Sequence, residues 1–356
     1  MLSFISYFKS TPAFVFALGF IVCFETILHF IPNLYYLDGK GAFFTYYKRY
    51  IAERGEENYD ILMYGDSRSL SLRGFARSEA FPYSLYNFSL PAAGPWYFKF
   101  FLKKYLLHHE KPKLVIWAAD PQQFSLKKTM AFHDNPALWN EFKHRLLNLF
   151  SIVETWEQYE GKELFFILKE YIPHSLLSVR HRQGFESILN SKISSLFETP
   201  SLVRENLIVE AIVKESYGQI NLGNFFTVPN IREVALQEKE NQLKGMQNTE
   251  MNLEPLKLFL DYTQSLNLKV VVLNIPRLKE FNQSPYFKDV VPQMKKLISK
   301  YPQASYLEFE NMEYDLDLFS ESIHYNAEGE KIVNQEFLDK IVPKLYARIE
   351  EDNVKK

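Results

Sequence analysis

Tyr59-Asp-Ile-Leu-Met-Tyr64-Gly65-Asp66-Ser67-Arg68-Ser69 begins as a short apolar run and ends in a Gly-Asp-Ser turn. A run of this length bounded by turn residues has the pattern of a strand buried on both faces. Ser69 to Arg77 can continue as a helix, which puts Ser67 at a helix N-terminus beyond the carboxyl end of a strand. Open α/β sheets carry their reactive groups there. The backbone N–H of Ser67 could then face a developing oxyanion. The alternative is that Ser67 or Asp66 only caps the helix.

The same alternation recurs on either side. Tyr83 to Phe88 reads as a weaker strand, followed by a loop from Ser89 to Pro95. Trp96 to His109 has apolar residues at helical spacing, and Lys113 to Ala118 is a buried strand. Farther on come a helix over Leu253 to Leu266, the clearest buried strand over Leu268 to Leu273, and a helix over Val290 to Tyr301. Ala304 to Phe309 is a fifth strand, and Ala327 to Ile349 a closing amphipathic helix. Strands separated by helices predict an α/β domain over about 51–350, with a mainly parallel five-stranded sheet covered on both faces.

Between about 120 and 252 the alternation lapses. Helix-like pieces such as Ala137 to Phe150 and Lys162 to Tyr171 predict a helical insertion rich in aromatics. Glu233 to Met251 is polar and reads as an exposed helix or connector. Arg180-His181-Arg182 fits a solvated helix end better than a contact to an anionic acceptor or a lipid headgroup.

Residues 1–50 read as a membrane anchor and linker. Pro12 to Ile31 is an apolar run whose twenty residues span about 30 Å as a helix, the thickness of a bilayer's hydrocarbon core. Pro12 suits a first helical turn and Pro32 an exit. Tyr7, Tyr35 and Tyr36 fall where an interfacial aromatic belt would sit. A cleavable signal peptide fits less well, because the run is long and no A-x-A site follows closely. Glu25 and His29 share a helix face. They read either as a contact to a partner membrane helix or as groups near the interface. Lys9 lies on one side of the span and Lys40, Lys48 and Arg49 on the other, so flanking charge does not decide orientation.

Composition narrows the chemistry. Among 356 residues, 41 Lys and Arg against 43 Asp and Glu leave a net charge of −2, which excludes a global nucleic-acid footprint. Charged residues at 24% and apolar residues at 47% exclude a mostly disordered chain. The single cysteine, Cys23, excludes an intramolecular disulfide and a Cys-based zinc cluster. His108-His109-Glu110 and His133-Asp134 make a poor chelate, because adjacent histidines point to different helix faces. No phosphate-binding glycine motif occurs, so neither a metal nor a cofactor is expected. Aromatics at 16% are high and exceed what the anchor alone explains. They continue through Trp96 to Phe101 and Leu164 to Ile167, as bulky core or as the lining of an acceptor groove.

A second block, Phe319-Ser-Glu321-Ser-Ile-His324-Tyr-Asn-Ala-Glu-Gly329, falls between the last strand and the last helix. A hydroxyl nucleophile needs a neutral imidazole to take its proton and a carboxylate to orient that imidazole. Glu321 can orient His324 if the loop forms one turn. The alternative is that His324 simply caps the closing helix.

Gly65-Asp66-Ser67 after the first strand, with an acid three residues before His324, resembles the SGNH or GDSL-type hydrolase superfamily. The resemblance spans roughly residues 55 to 350 outside the insertion. With its N-terminal anchor the chain is most similar to the envelope branch, which includes the D-alanine-transfer protein of teichoic acid synthesis and the alginate O-acetylation proteins. The resemblance implies a three-layer flavodoxin-like fold. It implies Ser67 as nucleophile and oxyanion donor, His324 as general base and Glu321 as the orienting acid, where the superfamily usually has Asp. It aligns Gly94 with the second oxyanion donor. The superfamily's third-block Asn has no counterpart in Ala119-Asp120-Pro121-Gln122-Gln123, where Gln122, or Asn87 elsewhere, would have to substitute.

The expected function is serine acyl transfer or ester hydrolysis on envelope polysaccharide or glycolipid. The expected place is the bacterial inner membrane, single-pass, with the catalytic domain outside the cytoplasm and a multi-pass membrane O-acyltransferase as partner. The alternative is an inactive SGNH-like scaffold that binds glycan or that partner.

Overall fold

The computed structural model describes residues 12–31, 34–37, 40–54, 56–91, 93, 96–118, 120–125, 176–182, 185–186, 201–225, 231–246 and 250–351. Contacts divide the chain into Met1–Tyr46 with Glu141–Val209, and Tyr47–Asn140 with Glu210–Lys356. The pieces Ala137 to Phe150 and Lys162 to Tyr171 lie outside the described residues.

In the first unit, helix α1 (Pro12–Phe30) is long and apolar enough to cross a membrane or to act as a signal sequence, with a mean hydropathy of 2.1. Glu25 does something the sequence did not suggest. Its carboxylate accepts hydrogen bonds from the backbone N–H of Leu177 at 2.8 Å and of Ser178 at 3.1 Å. It thereby supplies the N-terminal cap of a short helix over Leu177–Arg180, satisfying donors a helix start leaves open. A helix over Lys40–Arg54 begins in the first unit and ends in the second.

The second unit holds a five-stranded sheet in the order β2-β1-β3-β4-β6, every neighbouring pair parallel. The strands are β1 (Ile61–Gly65), β2 (Leu85–Asn87), β3 (Leu114–Ala118), β4 (Lys269–Asn274) and β6 (Ala304–Glu308). A two-stranded pair, β5 (Arg277–Leu278) with β7 (Glu313–Tyr314), stands apart. All residues of β1 and β3 are buried, as continuous apolar runs require when helices cover both faces. On β6 four of the five residues are only half-buried and Glu308 is exposed, which fits an edge.

Helices read from apolar spacing fall where expected, within a few residues: Trp96–His108, Glu254–Ser265 and Pro285–Ile298. The closing helix read over 327–349 is interrupted. An α-helix over Ala327–Glu336 passes through a π-turn at Phe337–Ile341 into a second helix, Val342–Glu350. Pro343 lacks the N–H that a continuous ladder needs at this joint. The core is aromatic. Trp117 at the middle of the sheet meets Phe98 edge-on at 4.7 Å and Phe259 at 4.9 Å. Tyr97, Phe98, Phe100 and Phe101 are buried, so this aromatic cluster is core. Leu164 to Ile167 lie outside the described residues.

Candidate active site

β1 has neighbours on both sides, β2 and β3, so the strand order reverses there. The crevice beyond the carboxyl ends of β1 and β3 is where such sheets bind ligands. Gly65 ends β1 against β3. A Cβ at Gly65 would lie 2.0 Å from Ser69 Oγ and 2.8 Å from the Ala118 carbonyl oxygen, so only glycine allows this approach.

The helix expected over Ser69 to Arg77 is a single 3-10 turn, Ser69–Ser71. Ser67 is half-buried in the turn before it and stands at no helix N-terminus. The chain is drawn out of helix by contacts that sequence cannot display. Asn87 Nδ2 donates to the carbonyls of Ser69 and Leu72, each at 2.8 Å, and Phe75 forms a bridge with Leu85. Any stabilisation of an oxyanion at Ser67 is therefore local to its N–H, without a helix dipole behind it. Asp66 forms an Asx turn and caps no helix: one carboxylate oxygen accepts from the Arg68 N–H at 3.0 Å, the other from Gln123 Nε2 at 2.9 Å.

Asn87 and Gln122, the two candidates for the missing third-block Asn, are both engaged. Asn87 holds the turn as described, and its Oδ1 accepts from the Ser89 N–H at 2.9 Å. Gln122 accepts from Arg68 Nη2 at 2.8 Å and donates to Gln242 Oε1 at 3.1 Å. Gly94 lies outside the described residues.

Lys48 supports the same loop. Its Nζ donates to the carbonyls of Asn87, Ser89 and Gly218, each at 2.7 Å, in a fully buried setting. Burial works against its charge and lowers its proton affinity, while three acceptors match the three donors of an ammonium.

Glu321 and His324 do pair. Glu321 accepts from the backbone N–H of Ile323 at 2.7 Å and of His324 at 2.9 Å. It also bonds His324 Nδ1. Burial alone would raise the Glu321 carboxyl, but the hydrogen bond and charge of His324, with the two N–H donors, hold it below the usual range. The helix over Ala327–Glu336 is capped by Asn326, whose Oδ1 accepts from Glu328 N at 3.1 Å and Gly329 N at 3.0 Å. His324 is therefore not that helix's cap.

The helix that follows His324 is tied to the segment that follows the Ser67 turn. Asn334, on the helix that follows His324, donates to the Ser71 carbonyl at 2.8 Å and accepts from the Arg73 N–H at 2.7 Å. Arg68, next to Ser67, is within electrostatic range of Glu321 and Tyr325.

No local sequence pattern marks Arg68 or Arg277 as functional, yet they share Asp120 in a buried network. Arg277 Nε reaches Asp120 Oδ2 at 3.0 Å, and Arg68 Nη1 bonds the same oxygen. Burial opposes the Asp120 charge, but the two guanidinium groups outweigh it and keep the carboxyl low. The available signal was positional: Asp120 and Arg277 follow β3 and β4 at their carboxyl ends. His109, read as a poor metal ligand, bonds the Ile51 carbonyl at 2.9 Å and stacks on Tyr105.

The family model described as "Protein of unknown function (DUF1574)" matches residues 29–329. No curated protein matches the chain. Among solved structures, one from Streptococcus pneumonia, described as a candidate platelet activating factor, is similar at 9% identity and a TM-score of 0.35. That match covers 83% of this chain and 90% of the other.

Proposed function

The chain belongs to the DUF1574 family, and we propose that its chemistry is acyl transfer through Ser67. The observation that carries this reading is the Glu321–His324 pair. A carboxylate fixed by two backbone N–H groups and bonded to Nδ1 leaves Nε2 as the ring atom that can accept a hydroxyl proton. The all-parallel order β2-β1-β3-β4-β6, with Ser67 beyond β1, adds support, because it is the flavodoxin-like order of the SGNH fold once the outlying β5 is set aside.

In the proposed reaction His324 takes the proton of Ser67 Oγ as that oxygen bonds to the carbonyl carbon of an ester or thioester. The carbonyl pair moves onto its oxygen, which the N–H groups of Ser67 and Gly94 hold. Collapse breaks the bond to the leaving oxygen or sulfur, which takes the proton from His324. An acceptor hydroxyl then gives its proton to His324 and attacks the acyl-serine, and the departing Ser67 Oγ takes that proton back from His324. A glycan hydroxyl completes transfer, and water completes hydrolysis. An anchor of the length and apolarity of α1 would hold the site beside a membrane acyl donor, which favours transfer to envelope polysaccharide or glycolipid. The donor would come from a multi-pass membrane acyltransferase.

The test uses the full chain in detergent micelles with p-nitrophenyl acetate. Ser67→Ala is expected to reduce turnover by at least about 10³-fold and to remove an acetyl adduct detected by mass on the Ser67 peptide. Unchanged turnover in Ser67→Ala would exclude the serine mechanism.

A further inference from the structure

The helix over Ile231–Met246, read from sequence as an exposed connector, contacts residues near both parts of the candidate site. Arg232 pairs with Asp317 at 2.8 Å, in the segment that leads to Glu321. Lys239 pairs with Glu280 at 2.8 Å. Gln242 accepts from Gln122 at 3.1 Å, and Gln122 is itself bonded to Arg68 beside Ser67. Ala235 and Met246 are buried, whereas Val234 and Leu236 are exposed. Residues 235, 238, 242 and 246 therefore share the inward face at helical spacing. Glu238 lies on that face, between the contact to Asp317 and the contact to Gln122, with the Glu321 carboxyl within electrostatic range.

We propose that Glu238 is a positioning residue of this site, backing Glu321 and acting on His324 through it. This rests on the acyl-transfer reading above. It turns an acid–base pair into a chain of three groups, Glu238, Glu321 and His324, with Glu238 on a separate, polar-tethered helix. The groups facing the two carboxyls are His324 and Arg68 on the Glu321 side. On the Glu238 side its helix neighbour Lys239 is engaged with Glu280. Burial and the Glu321 charge hold the Glu238 carboxyl above its usual range, while His324 holds Glu321 below. As pH falls, the proton goes first to Glu238, which then donates to the Glu321 carboxylate. As pH rises, Glu238 ionises and adds a second negative charge behind Glu321, which favours the imidazolium formed when His324 takes the serine proton.

The experiment has two arms on the full chain in micelles. In the first, Glu238→Gln keeps a hydrogen-bond donor but removes the charge. The acid limb of kcat/KM on p-nitrophenyl acetate should move to lower pH by about 0.5–1 unit, with turnover at the plateau reduced less than tenfold. An unmoved limb, with Ser67→Ala inactive, overturns the role of Glu238 and leaves the serine reading standing. In the second arm, carboxyl-labelled glutamate is titrated by NMR and does not depend on turnover. Glu321→Gln should return Glu238 toward the ordinary carboxylate range, and an unchanged Glu238 titration overturns the proposal. Retained activity in Ser67→Ala overturns both readings, whatever Glu238 does.

Discussion

Arg68 and Asp120 form an ion pair whose side chains are 4% and 1% exposed, one residue past Ser67. Arg277 bonds the same Asp120 oxygen, so two buried guanidinium groups share one carboxylate. Removing it strands both. Asp120→Asn is expected to cost about 3–5 kcal/mol, because uncompensated buried charge is far more costly than a lost surface pair. Urea unfolding measures it, and a loss under about 1 kcal/mol would refute the pairing. The Asp120 carboxyl is held below its unfolded value, so this stabilisation is complete above the ordinary carboxylate range and is lost as pH falls below it.

Gly65→Ala tests the approach of β1 to the Ser67 turn. The new methyl would meet Ser69 Oγ, which donates to the Asp66 carbonyl at 3.0 Å and shares a hydrogen bond with Ser89 Oγ at 3.0 Å. A destabilisation of about 1–3 kcal/mol is expected, along with loss of ester turnover as the Asp66–Ser69 turn shifts. The double variant Gly65→Ala/Ser69→Gly should recover part of the stability in thermal unfolding. Recovery is only partial because the Ala118 carbonyl remains in the way. A single variant as stable and active as the parent would disprove the contact.

Asp60 reports on the opposite end of β1. It accepts from Arg77 at 2.7 and 2.6 Å and from the Ser84 N–H at 2.9 Å, with Lys113 at 3.3 Å. Burial alone would raise its carboxyl, but these donors hold it at about 2. A lowered carboxyl contributes stability above its unfolded value near 4, and the contribution is lost as pH falls from about 4 to about 2. Arg77 is 63% exposed, so solvent screening limits the contribution to about 1–2 kcal/mol. Asp60→Asn should flatten acid unfolding in that interval, and an identical acid profile would count against the ion pair.

Elements set by local pattern were legible from sequence. The five sheet strands follow from apolar runs bounded by turn residues, most clearly in β1, β3 and β4, whose burial on both faces demands such runs. The Glu321–His324 pair was legible because three residues separate them and one turn closes that distance. The segment after Ser67 was not. Ser69 to Arg77 has an acceptable helical pattern, but Asn87 and the bridge to Leu85 outcompete the helix through contacts distant in sequence. Glu233 to Met251 looked solvated because its inward face carries Glu238 and Gln242, polar residues that meet polar partners from remote loops.

By itself, then, the sequence determined the parallel α/β sheet, the apolar N-terminal helix and the two blocks that hold Ser67 and His324. Periodicity and short spacings encode all of these within a few consecutive residues. Only the tertiary structure decided that Asp120 is shared by Arg68 and Arg277, that Glu25 caps a helix at Leu177, and that Glu238 stands behind Glu321. Each of these joins residues tens of positions apart or more. The energy of a buried charge or an open backbone donor depends on which groups the fold brings beside it, and no local pattern records that.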